Sequence, residues 1–245
     1  MGEKKKKNDA PPDDPHVIIA FLLDETGSME SVRQATISGF NEYVQTVNNQ
    51  HPDALLSLVL FSTVKYDGVY RLTPLPVVAP LTFDTYKPNG GTPLYDCIAR
   101  LIGETETAIA PIKPTPEVLF VIMTDGEENS SREYNRARIV ELITRKEAAG
   151  WSFVYLGANQ DAWQVGASIG VKASHAMTYD HHQAGTAAMF DVMGRSTSSH
   201  LERRKAMRRE QPNLDPAQLQ DDAEFFTDED AKKLGKQKPS TPGSA

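Results

Sequence analysis

Asp24-Glu25-Thr26-Gly27-Ser28 sets oxygen-bearing side chains at alternate positions 24, 26 and 28, with Gly27 permitting a tight turn. If this segment curls, the Asp24 carboxylate and the Thr26 and Ser28 hydroxyls face one point. Far along the chain, Thr124-Asp125-Gly126-Glu127-Glu128 brings a second carboxylate ahead of a turn, and Asn89-Gly90-Gly91-Thr92-Pro93 offers the Thr92 hydroxyl beside two glycines. A hard divalent cation takes such a set: few carboxylates, several hydroxyls, and waters in the rest of its shell. Mg2+ is the expected ion, with Mn2+ or Ca2+ as alternates. Each fragment also has a plainer reading. Asp24 or Asp125 can end a strand as a turn former, Ser28 can cap the helix after it, and Thr92 can be the N-cap of the helix carrying Leu94. Three loops supplying oxygen together is harder to ascribe to local needs.

The elements that would hold these loops follow from hydrophobic pattern. Val17 to Leu23 is a continuous apolar run closed by Asp24, as expected of a strand covered on both faces. Ser31 to about Asn49 has one apolar stripe at helical spacing, stopped at His51-Pro52. Strands are expected at 55–61 and, at an edge, 64–72, followed by a long proline-rich connection over 73–91. A second amphipathic helix runs from Leu94 to Ile109, and Val118 to Met123 is another fully apolar strand. Beyond it lie a helix at 132–149, a strand at 151–156, a short helix at 162–169, a short strand at 171–175 and a helix at 182–195. This alternation predicts an α/β fold, a doubly wound, mostly parallel sheet with helices on both faces. In such sheets ligands bind outside the carboxyl ends of the strands, where Asp24 and Asp125 fall.

The chain has 245 residues, 33 acidic and 26 basic, with a net charge of -7. That balance argues against a nucleic-acid footprint. No apolar run approaches the ~20 residues of a membrane span. Cys97 is the single cysteine, so no internal disulfide forms and a cytoplasmic setting is expected. Residues 1–15 read as a basic, proline-rich disordered tail, 16–195 as the domain, and 196–245 as a charged, loosely packed or disordered extension with a helical first turn at Thr227.

Asp24-x-Thr26-x-Ser28, the distant Thr92 and the strand-ending Asp125 resemble the metal-ion-dependent adhesion site of the von Willebrand factor A (vWA) family, with Thr26 in place of the usual first serine. Tyr155 to Asp161 looks like the matching segment of bacterial and phage-type members. The resemblance spans about residues 16–195. It implies a six-stranded sheet with one antiparallel edge strand, metal ligation by Asp24, Thr26, Ser28, Thr92 and Asp125, and an open position on the ion for a partner's Asp or Glu. The function so implied is metal-dependent protein binding, with no catalytic residue. Two other readings stand beside it: a Mg2+-dependent phosphohydrolase, although Asp-x-Asp is absent at position 26, and a scaffold whose site is silent.

Other features are given plainer roles. Glu25, Glu127 and Glu128 are expected at the site's rim, the last two as solvated charges. His181 and His182 read as a surface pair, Arg203 to Arg209 as a solvated basic helix face, Trp151 and Trp163 as packing residues, and Cys97 as buried and inert.

Overall fold

The computed structural model describes residues 17–159, 161–211, 214, 216–218 and 223–238. The tail expected over residues 1–15 and the chain end at 239–245 lie outside that set. Six strands form one sheet: β1 (Val17–Asp24), β2 (Leu55–Phe61), β3 (Tyr66–Pro74), β4 (Glu117–Thr124), β5 (Ser152–Ala158) and β6 (Ala176–Tyr179). Their order is β3-β2-β1-β4-β5-β6. Every neighbouring pair is parallel except β2 with β3, where the short Ser62–Lys65 turn returns the chain antiparallel along the edge. The strand order reverses direction between β1 and β4, so the crevice at their carboxyl ends is the topological switch point of the sheet.

Alternate residues of β1 serve two cores. Ile19, Phe21 and Leu23 face the layer of α1 (Arg33–Gln50) and α5 (Gln183–Glu210); Ile18, Ala20 and Leu22 face α2 (Leu94–Ile109), α3 (Arg136–Ala148) and α4 (Ala162–Ser168). All six side chains are fully buried, which is why this strand reads as an unbroken apolar run. On the first face Phe21 meets Phe40 and Tyr43 edge-on, with ring centroids 5.4 and 5.5 Å apart. Each such pair adds ~0.5–1.5 kcal/mol beyond its burial. α1 stops at His51, which has left helical geometry (φ -132, ψ 62) before Pro52, whose ring disfavours the α region for the residue ahead of it.

Two expected boundaries differ. The last strand is Ala176–Tyr179 rather than 171–175: Gly170 turns the chain at φ +97, Val171 N–H closes back on Gly166 O, and Ala173–His175 tighten into a 3-10 turn, so pairing with β5 begins at Ala176. The last helix, expected to end near Arg195, runs on to Glu210, and the boundary drawn at 196 falls inside it. Its middle turns bury Gly194, Ser196, Thr197 and Ser198, small groups that let α1 and α5 approach closely. Farther along, Arg204 and Arg208 both donate to Glu117 at the start of β4, Arg204 Nε at 2.9 Å. The segment read as a solvated basic face is therefore partly buried.

The end of the described chain also packs. Phe225 and Phe226 are buried in the α1/α5 core, and α6 (Asp228–Lys233) opens with the Thr227–Asp230 capping box that its sequence suggests. Lys236 pairs with Asp180 and Lys238 with Glu224, tying this segment to the main body and to itself.

Candidate functional site

Three loops meet at the switch point and are stitched by backbone hydrogen bonds. Gly27 N–H donates to Gly90 O at 3.0 Å, Asn89 N–H to Glu25 O at 2.9 Å, and Asn129 N–H to Thr92 O at 3.2 Å. Gly90 has φ +83, and a Cβ there would lie 2.6 Å from Thr63 Oγ1, so conformation and space both call for glycine. Tyr86, fully buried, reaches beneath the first loop to donate to Asp24 O at 2.6 Å.

Asp24 is wholly buried. Its Oδ1 accepts Thr26 N–H at 2.7 Å and its Oδ2 accepts Thr124 Oγ1–H at 2.6 Å. Thr26 Oγ1 lies 3.1 Å from Ser28 Oγ, which donates to Asp125 Oδ1 at 2.8 Å. One chain of contacts thus joins Asp24, Thr26, Ser28 and Asp125. Thr92 enters from the third loop, its N–H held by Asn129 Oδ1 at 3.0 Å. Its hydroxyl stands against Gly126, where a Cβ would come within 2.8 Å of Oγ1. Neither hydroxyl stands at a helix N-cap position: Ser28 lies inside the 3-10 turn Gly27–Val32, whose N-cap is Thr26, and α2 is preceded by Pro93 as its N-cap, with no side-chain cap bond at either start.

The two carboxyl groups of the site resist ionising together. Burial pushes the Asp24 carboxyl up to about 7, and the neighbouring Asp125 adds to the rise, against the lowering by Thr124 and Thr26. Asp125 is also raised by burial, partly offset by Ser28 and His181. Two acids that resist ionising side by side gain most from a positive ion between their loops. The donor chemistry, carboxylate and hydroxyl oxygens, fits a hard divalent ion. Among the described residues no three or more His, Cys, Asp or Glu side chains gather as a metal-holding group. Hydroxyls and water would therefore complete the shell.

The flanking acids divide by role. Glu25, expected at the rim, is buried; its carboxylate accepts Lys87 N–H and lies 3.5 Å from Lys65 Nζ. Glu128, expected to be solvated, accepts from Tyr95 N–H, Ser130 N–H, Ser131 N–H and the Ser131 hydroxyl. It organises the loop beside Thr92. Only Glu127 is an exposed charge.

Sequence reasoning missed His181. It does not share a surface role with His182, whose Nδ1 accepts Gly185 N–H and caps α5. The His181 ring instead lies between Ser31 and Asp125, with Nε2 2.8 Å from Ser31 Oγ and Nδ1 3.4 Å from Asp125 Oδ2. No local spacing signals this, because the contact joins residues 150 positions apart.

A polar cavity of about 890 Å³ adjoins the site, lined by residues including Tyr66, Asp96, Arg100, Asn129 and Arg132. Cys97 borders it, with its thiol pushed up to about 12 by burial, the unreactive state expected of it. No helix among the described residues is long and apolar enough to cross a membrane.

No protein-family model matches this chain, and no curated protein does. Solved structures share its fold. Proximal thread matrix protein 1 from the mussel byssus is 15% identical, with a TM-score of 0.54 over 73% of this chain and 47% of its own. The pilus adhesin SpaC from Lactobacillus rhamnosus GG, in its open conformation, is 11% identical, with a TM-score of 0.55 over 77% of this chain and 30% of its own. The chain thus spans less than half of either protein. At such identities the likeness concerns the arrangement of strands and helices.

Proposed function

We infer that this chain is a vWA-type binding module that recognises a protein partner through a divalent cation. The observation that carries this reading is the convergence of Asp24, Thr26, Ser28, Thr92 and Asp125 from three loops onto the switch point of a doubly wound sheet. Asp24 and Asp125 would supply the charge and Thr26, Ser28 and Thr92 the neutral oxygens. With only two carboxylates and several hydroxyls in the shell, a bound Mg2+ keeps a pull on one further anion and accepts an Asp or Glu side chain in place of a water. Glu25 and Glu128 act through the backbone, fixing the loops so that the hydroxyls stay in place before the partner arrives. The single cysteine fits a cytoplasmic partner system.

The test is ion binding followed by capture. Calorimetry with Mg2+ should give one site in the full chain, lost in Asp24→Ala and Asp125→Ala. Partners captured in Mg2+ should wash off in EDTA and be missing from the Asp24→Ala sample. Equal ion affinity in all three proteins, or capture indifferent to EDTA, would overturn the reading.

A further inference from the structure

The polar cavity of about 890 Å³ shares a wall with the cation edge. Asn129 and Thr63 line it, and the same two residues hold the Gly91-Thr92 loop: Asn129 Oδ1 accepts Thr92 N–H at 3.0 Å and Thr63 Oγ1 accepts Gly91 N–H at 2.9 Å. Its volume is near the top of the ~300–1,000 Å³ of sites that enclose a whole ligand, so it has room for more than one side chain. Two guanidiniums in its lining have donors unspent. Arg132 is exposed and has no side-chain partner among the described residues. Arg100 lies with its Cζ 3.8 Å from the Tyr66 ring centroid and its Nε 3.0 Å from Glu104 Oε1, which leaves both Nη atoms without a partner among the described residues. The lining acids do not use these donors. Asp96 accepts the backbone N–H groups of Arg132, Glu133 and Tyr134 at 2.7, 3.0 and 2.8 Å, which shapes the loop that carries Arg132. The exposed Glu133 carboxylate is left over, one charge against two guanidiniums. A guanidinium matches a carboxylate through two parallel N–H···O bonds, and its planar fork, stacked on a ring as in Arg100, is pre-organised for them.

Resting on the metal-site reading above, we propose that this cavity is the second half of the partner-binding surface: Arg100 and Arg132 bind a further Asp or Glu of the same acidic segment whose first acid completes the cation's shell. The occupant is then a stretch of protein with two acids at a set spacing, not a lone exposed carboxylate. With a net charge of -7 the chain as a whole repels such a segment, so the ion and the two arginines act as local positive points that fix its register.

Dodecapeptides from a random phage-displayed library, selected on the full chain in Mg2+, read both acids directly. Binders should carry two acids at constant spacing, and synthetic copies should lose about tenfold or more in affinity when either acid is replaced by its amide. The Arg100→Gln, Arg132→Gln double variant, checked for folding by thermal melting, should bind the two-acid peptide no better than its second-acid amide, with Mg2+ affinity within about twofold of wild type. Selection on Arg132→Glu should move the second position to Lys or Arg, a change that a merely structural role for the arginine would not produce. Glu133→Gln should tighten the two-acid peptide. Binders with a single acid, or a second acid whose loss costs as much in the double variant as in wild type, would overturn the proposal. EDTA and Asp24→Ala test the cation separately, since either should remove the dependence on the first acid. If neither does, the metal-site reading fails, and the cavity proposal stands only if the second acid still depends on the two arginines. A library that yields no binder in Mg2+ would count against both.

Discussion

Gly126→Ala isolates the contribution of one hydroxyl. The added Cβ would sit 2.8 Å from Thr92 Oγ1, whereas Thr92 Cβ and Cγ2 are both at 3.7 Å, an ordinary contact. Against the ~3.5 Å at which such heavy atoms begin to attract, the overlap is roughly 0.7 Å, and it falls on the hydroxyl alone. Gly126 is not in the left-handed region, so alanine brings no backbone penalty. The relief is rotation of Thr92 about χ1, at ~0.5–1.5 kcal/mol if it leaves its preferred well. Global stability should fall by no more than that. Ion affinity should fall about tenfold, equivalent to ~1.4 kcal/mol, because Oγ1 swings out of the shell. Calorimetry and thermal melting of the same samples separate the two effects. Thr92→Ala should weaken the ion similarly, and adding Gly126→Ala to it should cost little more, since the atom to be displaced has gone. A second full tenfold loss in the double variant, or wild-type affinity in Gly126→Ala, would refute the reasoning.

Gly39→Ala drives a Cβ to within 2.4 Å of the Phe190 ring where α1 crosses α5, and chemical denaturation should show a loss of ~1–3 kcal/mol; wild-type stability would contradict the close helix contact. Glu117→Ala removes the buried carboxylate to which Arg204 and Arg208 both donate and should cost ~3–5 kcal/mol in the same assay, whereas less than ~1 kcal/mol would mean that the pairing is dispensable. Burial, together with His175, Arg203 and Arg204, holds the His200 imidazole well below 6.5. The native ring thus stays neutral while the unfolded chain protonates near pH 6.5, so stability is whole above that pH and declines below it, by up to ~1.4 kcal/mol per pH unit. His200→Gln should flatten the fall in melting temperature between pH 6.5 and 5; an unchanged slope would assign the acid loss to other groups.

The sheet was readable because its signals are local. β1 and β4 are unbroken apolar runs, Pro52 marks the end of α1, and Thr227 with Asp230 announces α6. The loop donors were readable for the same reason, as short segments at strand ends. What escaped depends on partners distant in sequence. The second half of α5 is buried by Ser196, Thr197, Ser198 and an Arg204–Glu117 pair, residue types that suggest solvent until α1 and β4 are set beside them. His181 resembles a surface residue until Ser31 and Asp125 are brought to it, and Glu128 resembles a solvated charge until it is seen collecting backbone donors. β6 is short and follows a 3-10 turn, which displaced it from the expected 171–175.

The central claim is that separated loops share one cation, and a crystal of the full chain soaked in Mn2+ addresses it with an anomalous difference map. The account predicts a single peak bonded to the Ser28 and Thr92 hydroxyl oxygens and flanked by Asp24 and Asp125. Ser28 Oγ should then point to the ion instead of donating to Asp125 Oδ1. No peak at the carboxyl ends of β1 and β4, with that hydrogen bond intact at saturating Mn2+, would contradict it.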